Sequence, residues 1–381
     1  MNTGAGKGVG ASVTHEKKYG NKAACYVEED VYCMAGKTPW ADRNRNYGCR
    51  IKLFQVGRHK MVSMENELLY LRIDQTQGGQ IDEFLYKPKD IDVLFHYPFG
   101  RTIDSDTALV KEENFMNRYR GGWQELFPTI SSDSYFHGAE IGMHGEAAML
   151  PWNLKILENQ VDSVTICLSA DMIKTPFHLE KELCLKEYSN QIRIRETITN
   201  TSMEELSFQW GHHPALGGRF LDNSCRILLP GNPQADYTIA ELGKTSPIAP
   251  GEKGSWPEFP DRNGKTCRVD EVYPMESRRY LEFCLSDLKD GSFIVRNMNL
   301  GLDFGMTWDP TIFRHLWVWQ MYGGGEDYPY YGRAYTLALE PWSSVPDGLC
   351  RELPQNEKLR LQPGETISTE MEAWIGETSV V

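Results

Sequence analysis

The chain has 381 residues and a formal net charge of −13, with 40% hydrophobic, 24% charged and 11% aromatic side chains. It is long and apolar enough to bury a sizeable core, and its acidity excludes nucleic acid or an anionic membrane surface as partner, because both need clustered Lys and Arg. No apolar run approaches the roughly 20 residues of a membrane-spanning helix, the N-terminus lacks the apolar segment of a secretion signal, and nine scattered cysteines without a C-x-x-C pair fit a reduced, cytoplasmic protein.

The first 20 residues are rich in Gly, Ser, Thr and Lys and read as flexible; residues up to 55 read as an irregular N-terminal extension. From residue 56 onward strand-length segments recur in chain order: "LLYLRID", "VTICLSAD", "QIRIRETITN", "SFIVRNM", "LWVWQMY", "YTLALE" and "ISTEMEAWIG". Each is rich in β-branched or aromatic residues and is bounded by turn formers. "VLFHYPFG" fits no pattern cleanly, and "SMEEL" is too brief for a helix. Residues 230–275, dense in Pro and Gly, read as a long loop or insertion. The prediction is an all-β fold, a large antiparallel sandwich, with one domain over residues 56–381.

Four stretches carry candidate chemistry. In "NRYRGGWQELFPT", Arg118 and Arg120 precede a Gly-Gly turn, followed by Trp123 and Gln124. Donors, an amide and a ring face suit a sugar, though the arginines read equally well as solvated turn residues. In "MHGEAAMLPW", His144 and Glu146 are two residues apart and would share a strand face. A metal pair is conceivable there, but the zinc-deaminase reading fails without a later P-C-x-x-C. In "QWGHHPALGG", His212 and His213 are adjacent, so on a strand they point to opposite sides and cannot chelate one metal together. Pro214 restricts His213 to an extended conformation. An imidazole suits proton transfer near neutral pH, although two inert histidines remain the simpler reading of this stretch alone. In "YTLALEPWSS", Glu340 ends an apolar strand beside Trp342, where desolvation raises a carboxyl pKa; a solvated strand-end glutamate is the alternative.

Together and in this order, these stretches resemble the aldose 1-epimerase (galactose mutarotase-like) superfamily. "SMENELLYLRIDQTQGGQIDEFLYKPKDIDVLF" resembles its opening strands, "RGGWQELFPT" its RGG…FP turn, "HGEAAMLPW" its HG-x-A…W segment, "GHHPALGG" its HP segment and "LALEPWSS" its strand-end glutamate. The resemblance runs from about residue 60 to the C-terminus and implies a β-supersandwich with a sugar in an open cleft. It implies that Glu340 removes the anomeric hydroxyl proton and His213 protonates the ring oxygen. His144 would help to hold the ring oxygen, and Arg120, Gln124, Trp152, His212, Glu146 and Trp342 would complete the binding set. No metal or other cofactor is implied.

The sequence also departs from the family pattern. Members acting on phosphorylated hexoses have an arginine four residues after the first histidine, where this chain has Ala148. Glu146 replaces a usual apolar residue, and "HHPAL" lacks the usual aromatic pair. The expected function is therefore anomer interconversion on a neutral, unphosphorylated sugar. The alternatives are a carbohydrate-binding or sensing protein of the same fold and, less favoured, a metal-assisted enzyme using His144 and Glu146. A homodimer is compatible with either main reading.

Overall fold

In the strand Gln191–Asn200, alternate residues Ile192, Ile194 and Ile198 are buried while Arg193 and Arg195 are exposed. The same two-residue period organises most of the chain, because successive side chains on an extended backbone leave opposite faces. The structure, a computed structural model, describes residues 46–97, 115–130, 133–237, 245–345 and 358–378. All seven segments predicted as strands fall in strands, among them Leu69–Asp74, Ser163–Asp171, His315–Tyr322 and Tyr335–Trp342.

Among the described residues the strands form one 14-stranded sheet, one of eight strands and two two-stranded ribbons. The large sheet runs, at its centre, through Gln80–Tyr86, Trp123–Leu126, Gly211–Leu216, Tyr335–Trp342, His315–Tyr322 and Arg279–Ser286. The last four of these are called here the histidine, glutamate, tryptophan and outer strands. In the eight-stranded sheet Gln191–Asn200 lies between Phe177–Lys186 and Thr366–Glu377, antiparallel to both. The main apolar core draws on both sheets, with Trp123, Leu216 and Phe283 from one and Leu183, Ile194 and Phe304 from the other. A second apolar cluster covers the opposite face of the large sheet and includes Phe115, Tyr119, Trp317, Trp319, Tyr330 and Trp342. This all-β antiparallel sandwich is the predicted fold class.

Three local expectations need correction. The extension predicted to end at residue 55 ends earlier: a compact unit begins at Asn46, and Arg50–Val56 pairs along its length with His59–Glu65. Residues 1–45 lie outside the described residues. The segment 230–275 is no simple loop, because Gln234–Tyr237, Glu252–Ser255, Glu258–Pro260 and Thr266–Arg268 continue the large sheet beyond the outer strand. Strands of three or four residues among prolines carry too little alternation to be read from sequence. In "VLFHYPFG", Leu94 bridges Leu216 and His96 bridges Gly121, so its described part, 93–97, runs beside the site-bearing strands.

That close approach explains the Gly-Gly turn. Gly121 has φ +90°, and a Cβ there would lie 1.9 Å from the Phe95 carbonyl oxygen. Gly138 has an equally positive φ of +92° but opens onto empty space. Gly121→Ala should therefore destabilise by about 3 kcal/mol or more, whereas Gly138→Ala carries only the backbone strain of about 1 kcal/mol. Urea unfolding of the two variants checks this, and equal losses would contradict the packing argument.

Candidate active site

Cross-strand register builds the site. On the face of the large sheet turned away from the main core, Gln124 lies opposite His213, and Trp317 lies opposite both Glu340 and Cys284. The histidine and glutamate strands pair so that Gly211 meets Trp342 and Ala215 meets Ala338, placing His213 beside Glu340 between them. His213 Nε2 is 3.6 Å from Glu340 Oε1. Both side chains are buried.

His144 reaches this pair from a separate turn. Its backbone is left-handed, at φ +63°, and Gly145 follows at φ +80°, where a Cβ would fall 2.0 Å from the Phe127 carbonyl oxygen. The H-G pairing in the sequence is thus a steric requirement of the turn. The His144 Nδ1–H donates to the Ile130 carbonyl at 2.7 Å, which leaves Nε2 as an acceptor when the ring is neutral. The His144 ring sits 5.6 Å from that of His213 and 6.5 Å from Trp342. Phe115, Tyr119 and Trp319 pack around the two imidazoles, and Trp342 stacks on Trp317 at 5.0 Å with an interplanar angle of 5°.

Burial sets the charge states. It pushes His144 down to about 4, against the opposing pull of the Ile130 carbonyl. It pushes His213 down to about 3, with the neighbouring His144 adding to the fall. Glu340 is raised well above the usual carboxylate range by burial and then by the Glu282 carboxyl, with the Trp342 indole N–H opposing. Burial thus favours the uncharged forms of these three groups near neutral pH, two neutral imidazoles and a protonated Glu340 carboxyl.

The remaining predicted residues divide. Gln124 lies on the same face as His213, its amide donating to Gln80 Oε1 at 3.0 Å and to the Gly121 carbonyl. Trp342 lies there too. His212 does not: it faces the main core, bonded to Glu196 at 2.9 Å and to the Trp123 indole at 3.2 Å. Its place in the binding set is corrected by the same alternation that separates it from His213. Trp152 is likewise buried between the sheets, its N–H donating to the Ala147 carbonyl and the Lys181 ammonium 4.9 Å over its ring. Glu146 spends both oxygens on the Ile173, Lys174 and Thr175 amides and the Thr175 hydroxyl, so it pins one turn to another and is not free for sugar or metal. Arg120 is held by Asp74 at 2.8 Å and Gln77 at 2.7 Å; His59 shares the same Asp74 oxygen. The guanidinium therefore braces the Gly-Gly turn. Among the described residues, no group of three or more His, Cys, Asp or Glu side chains could hold a metal ion.

Glu282 escaped the sequence reading. It sits on the outer strand opposite Trp319, on the face that bears His213 and Glu340, bonded to the Tyr280 hydroxyl at 2.5 Å and raised to about 7 by burial. The signal was present in "RYLEFCLS": Tyr280, Glu282 and Cys284 alternate with the buried Leu281, Phe283 and Leu285. A carboxyl at such a position is an unusual choice for a buried strand.

Comparison with solved structures places the fold among galactose mutarotase-like proteins. A galactose mutarotase-like protein from Clostridium acetobutylicum aligns over 87% of this chain and 99% of its own, with 15% identity and a TM-score of 0.61. Another from Lactobacillus casei covers 83% and 100%, at 14% identity and a TM-score of 0.56. A protein from Klebsiella pneumoniae provisionally named an aldose 1-epimerase covers 86% and 83%, at 13% identity and a TM-score of 0.63. The chain belongs to the family described as a domain of unknown function (DUF4432), whose model matches residues 113–375. No functionally curated protein sequence matches it. Among the described residues no helix is long and apolar enough to cross a membrane.

The charge states are directly measurable. Imidazole NMR should find His144 and His213 neutral on titration from about pH 8 down to about pH 5, where an ordinary histidine is already charged. Protonation of either ring near pH 6.5 would contradict their desolvation.

Proposed function

We propose that this protein interconverts the anomers of a neutral, unphosphorylated sugar by opening and reclosing its ring. The observation that carries the proposal is the buried His213–Glu340 pair, 3.6 Å apart, with His144 beside it. Anomer exchange needs one group to take the proton from the anomeric hydroxyl while another gives a proton to the ring oxygen. The pair has one transferable proton, on Glu340 in the resting state, with His213 neutral. Moving it to His213 gives a carboxylate and an imidazolium, the forms that open the ring. Opening transfers the hydroxyl proton to Glu340 and the imidazolium proton to the ring oxygen, which restores the neutral pair. Rotation about C1–C2 followed by the reverse transfers closes the ring as the other anomer, and no proton is gained or lost overall.

The neighbours support this assignment. His144, with Nδ1 committed to a carbonyl, offers Nε2 to a sugar hydroxyl. The stacked indoles of Trp317 and Trp342, with Trp319, give an apolar floor for a ring face. A phosphosugar finds less support, since Arg120 is tied to Asp74 and Ala148 is buried where the phosphosugar-type arginine would stand.

Exchange NMR on a panel of aldoses tests the proposal. Glu340→Gln and His213→Asn should each slow exchange about 100-fold or more, and His144→Asn about tenfold. Undiminished exchange in Glu340→Gln would remove the proposed base. Sugar binding by wild-type protein without exchange above background would leave a binding protein in place of an isomerase.

A further inference from the structure

Directly behind His213, four ionisable side chains meet in the main core, where a sandwich of this kind needs only apolar groups. They arise from two cross-strand pairs that face one another. Lys181 lies opposite Glu196 on the eight-stranded sheet, and His212 lies opposite Glu125 on the large sheet. All four are buried. The contacts then run across the sandwich: Lys181 Nζ to Glu125 Oε2 at 3.2 Å, and His212 Nε2 to Glu196 Oε2 at 2.9 Å. The Trp210 indole N–H closes the remaining Glu125 oxygen at 3.1 Å.

The proton inventory follows from donor and acceptor chemistry. Trp123 Nε1 lies 3.2 Å from His212 Nδ1, and an indole nitrogen can only donate. Nδ1 must therefore carry a lone pair, so His212 is neutral and its single proton is on Nε2, pointing at Glu196. One lysine cation then faces two carboxyls. Two carboxylates would leave an uncompensated buried charge, which is strongly disfavoured. Glu196 Oε1 is buried with no N–H or hydroxyl donor, while the Glu125 carboxyl lies within hydrogen-bonding reach of the Glu196 carboxyl. A proton held between the two acids fills that gap and brings the quartet to neutrality.

We propose that Glu125 and Glu196 share one proton, and that this neutral quartet positions the histidine strand so that His213 meets Glu340. Through His212, Glu196 ties the strand carrying His213 to the opposite sheet. Glu196 is thus a positioning residue for the reaction proposed above, and its effect on turnover rests on that reading; the shared proton and the His212 tautomer do not. The environment agrees with the inventory. Burial raises both carboxyls to about 7, with Glu196 adding to the rise at Glu125 and Lys181 opposing it at both. Burial also lowers His212 to about 3.

The pH consequence has a definite sign. An unfolded glutamate titrates near its ordinary value of 4.5, whereas the folded pair releases its proton near 7. Between these values the folded chain holds a proton that the unfolded chain has lost. The stability this contributes is complete below the lower value and is lost as pH rises through the upper one. Glu196→Gln replaces the titrating proton with a permanent amide donor to Glu125 while keeping an oxygen to accept from His212, so it should abolish this contribution. Other buried groups with shifted pKa values, among them Glu282, Glu340, His144 and His213, titrate in both proteins and cancel in the difference.

Three measurements test the proposal. Long-range nitrogen–proton NMR of wild-type protein should place the His212 proton on Nε2 with Nδ1 bare; a doubly protonated ring or an Nδ1–H tautomer overturns the inventory, whatever any variant does. Thermal unfolding should show the wild-type Tm falling more steeply than that of Glu196→Gln between about pH 5 and about pH 8; parallel curves overturn the shared proton. Where wild-type protein exchanges anomers, Glu196→Ala should lower kcat about tenfold with little change in KM, and Glu196→Gln should recover most of the loss. Equal loss in both variants, or a change confined to KM, overturns the positioning role. Absence of exchange in wild-type protein would instead count against the proposed function, with the first two measurements still deciding the proton.

Discussion

The site depends on one constraint of the extended chain: neighbouring residues must face opposite ways. At Gly211–Leu216 this places His213 on the face turned away from the main core and His212 in the core between the sheets. Neither imidazole could exchange roles without shifting the strand by one residue, which would also turn Leu216 out of the core and Ala215 into it. The candidate site and the interior are therefore coupled through a single backbone. What holds His212 fixes where His213 points.

The second organising factor is desolvation. Glu340, His213, His144 and Glu282 are each shifted toward the uncharged form, chiefly by burial. A site built this way keeps its proton within the pair instead of exchanging it freely with solvent. Its hydrogen bonds are also electrostatically stronger than they would be in water. The cost is that any unpaired charge is expensive, and the core behind the site meets the same condition with a neutral set of four groups. In both places, the polar groups are arranged so that their formal charges cancel.

Much of this was legible from sequence, and what was missed has physical reasons. The long strands declared themselves by alternation, and the distant stretches around His144, His213 and Glu340 fell in a recognisable order. Strand geometry alone separated His212 from His213, though not which face received which ring. The misassigned residues have side-chain types that suit a sugar site equally well. Glu146 and Arg120 are ordinary hydrogen-bonding residues, and only the fold reveals that the 173–175 turn and Asp74 have claimed them. Trp152 was misplaced because an indole serves a core as readily as a cleft. The quartet was present as polar residues at inward positions of apolar strands, such as Glu196 among Ile192, Ile194 and Ile198, but their partners lie on strands far away in sequence. The short strands within 230–275 carried too little pattern to be seen.

The central claim is that His213 and Glu340 handle the two protons of a sugar ring held between them. A crystal structure with a bound aldose tests it most directly. The account predicts the anomeric oxygen within hydrogen-bonding distance of Glu340, the ring oxygen facing His213 Nε2, and a hydroxyl or the ring oxygen near His144 Nε2. A sugar that binds elsewhere, or that lies in the cleft with its anomeric carbon turned away from Glu340, would contradict it.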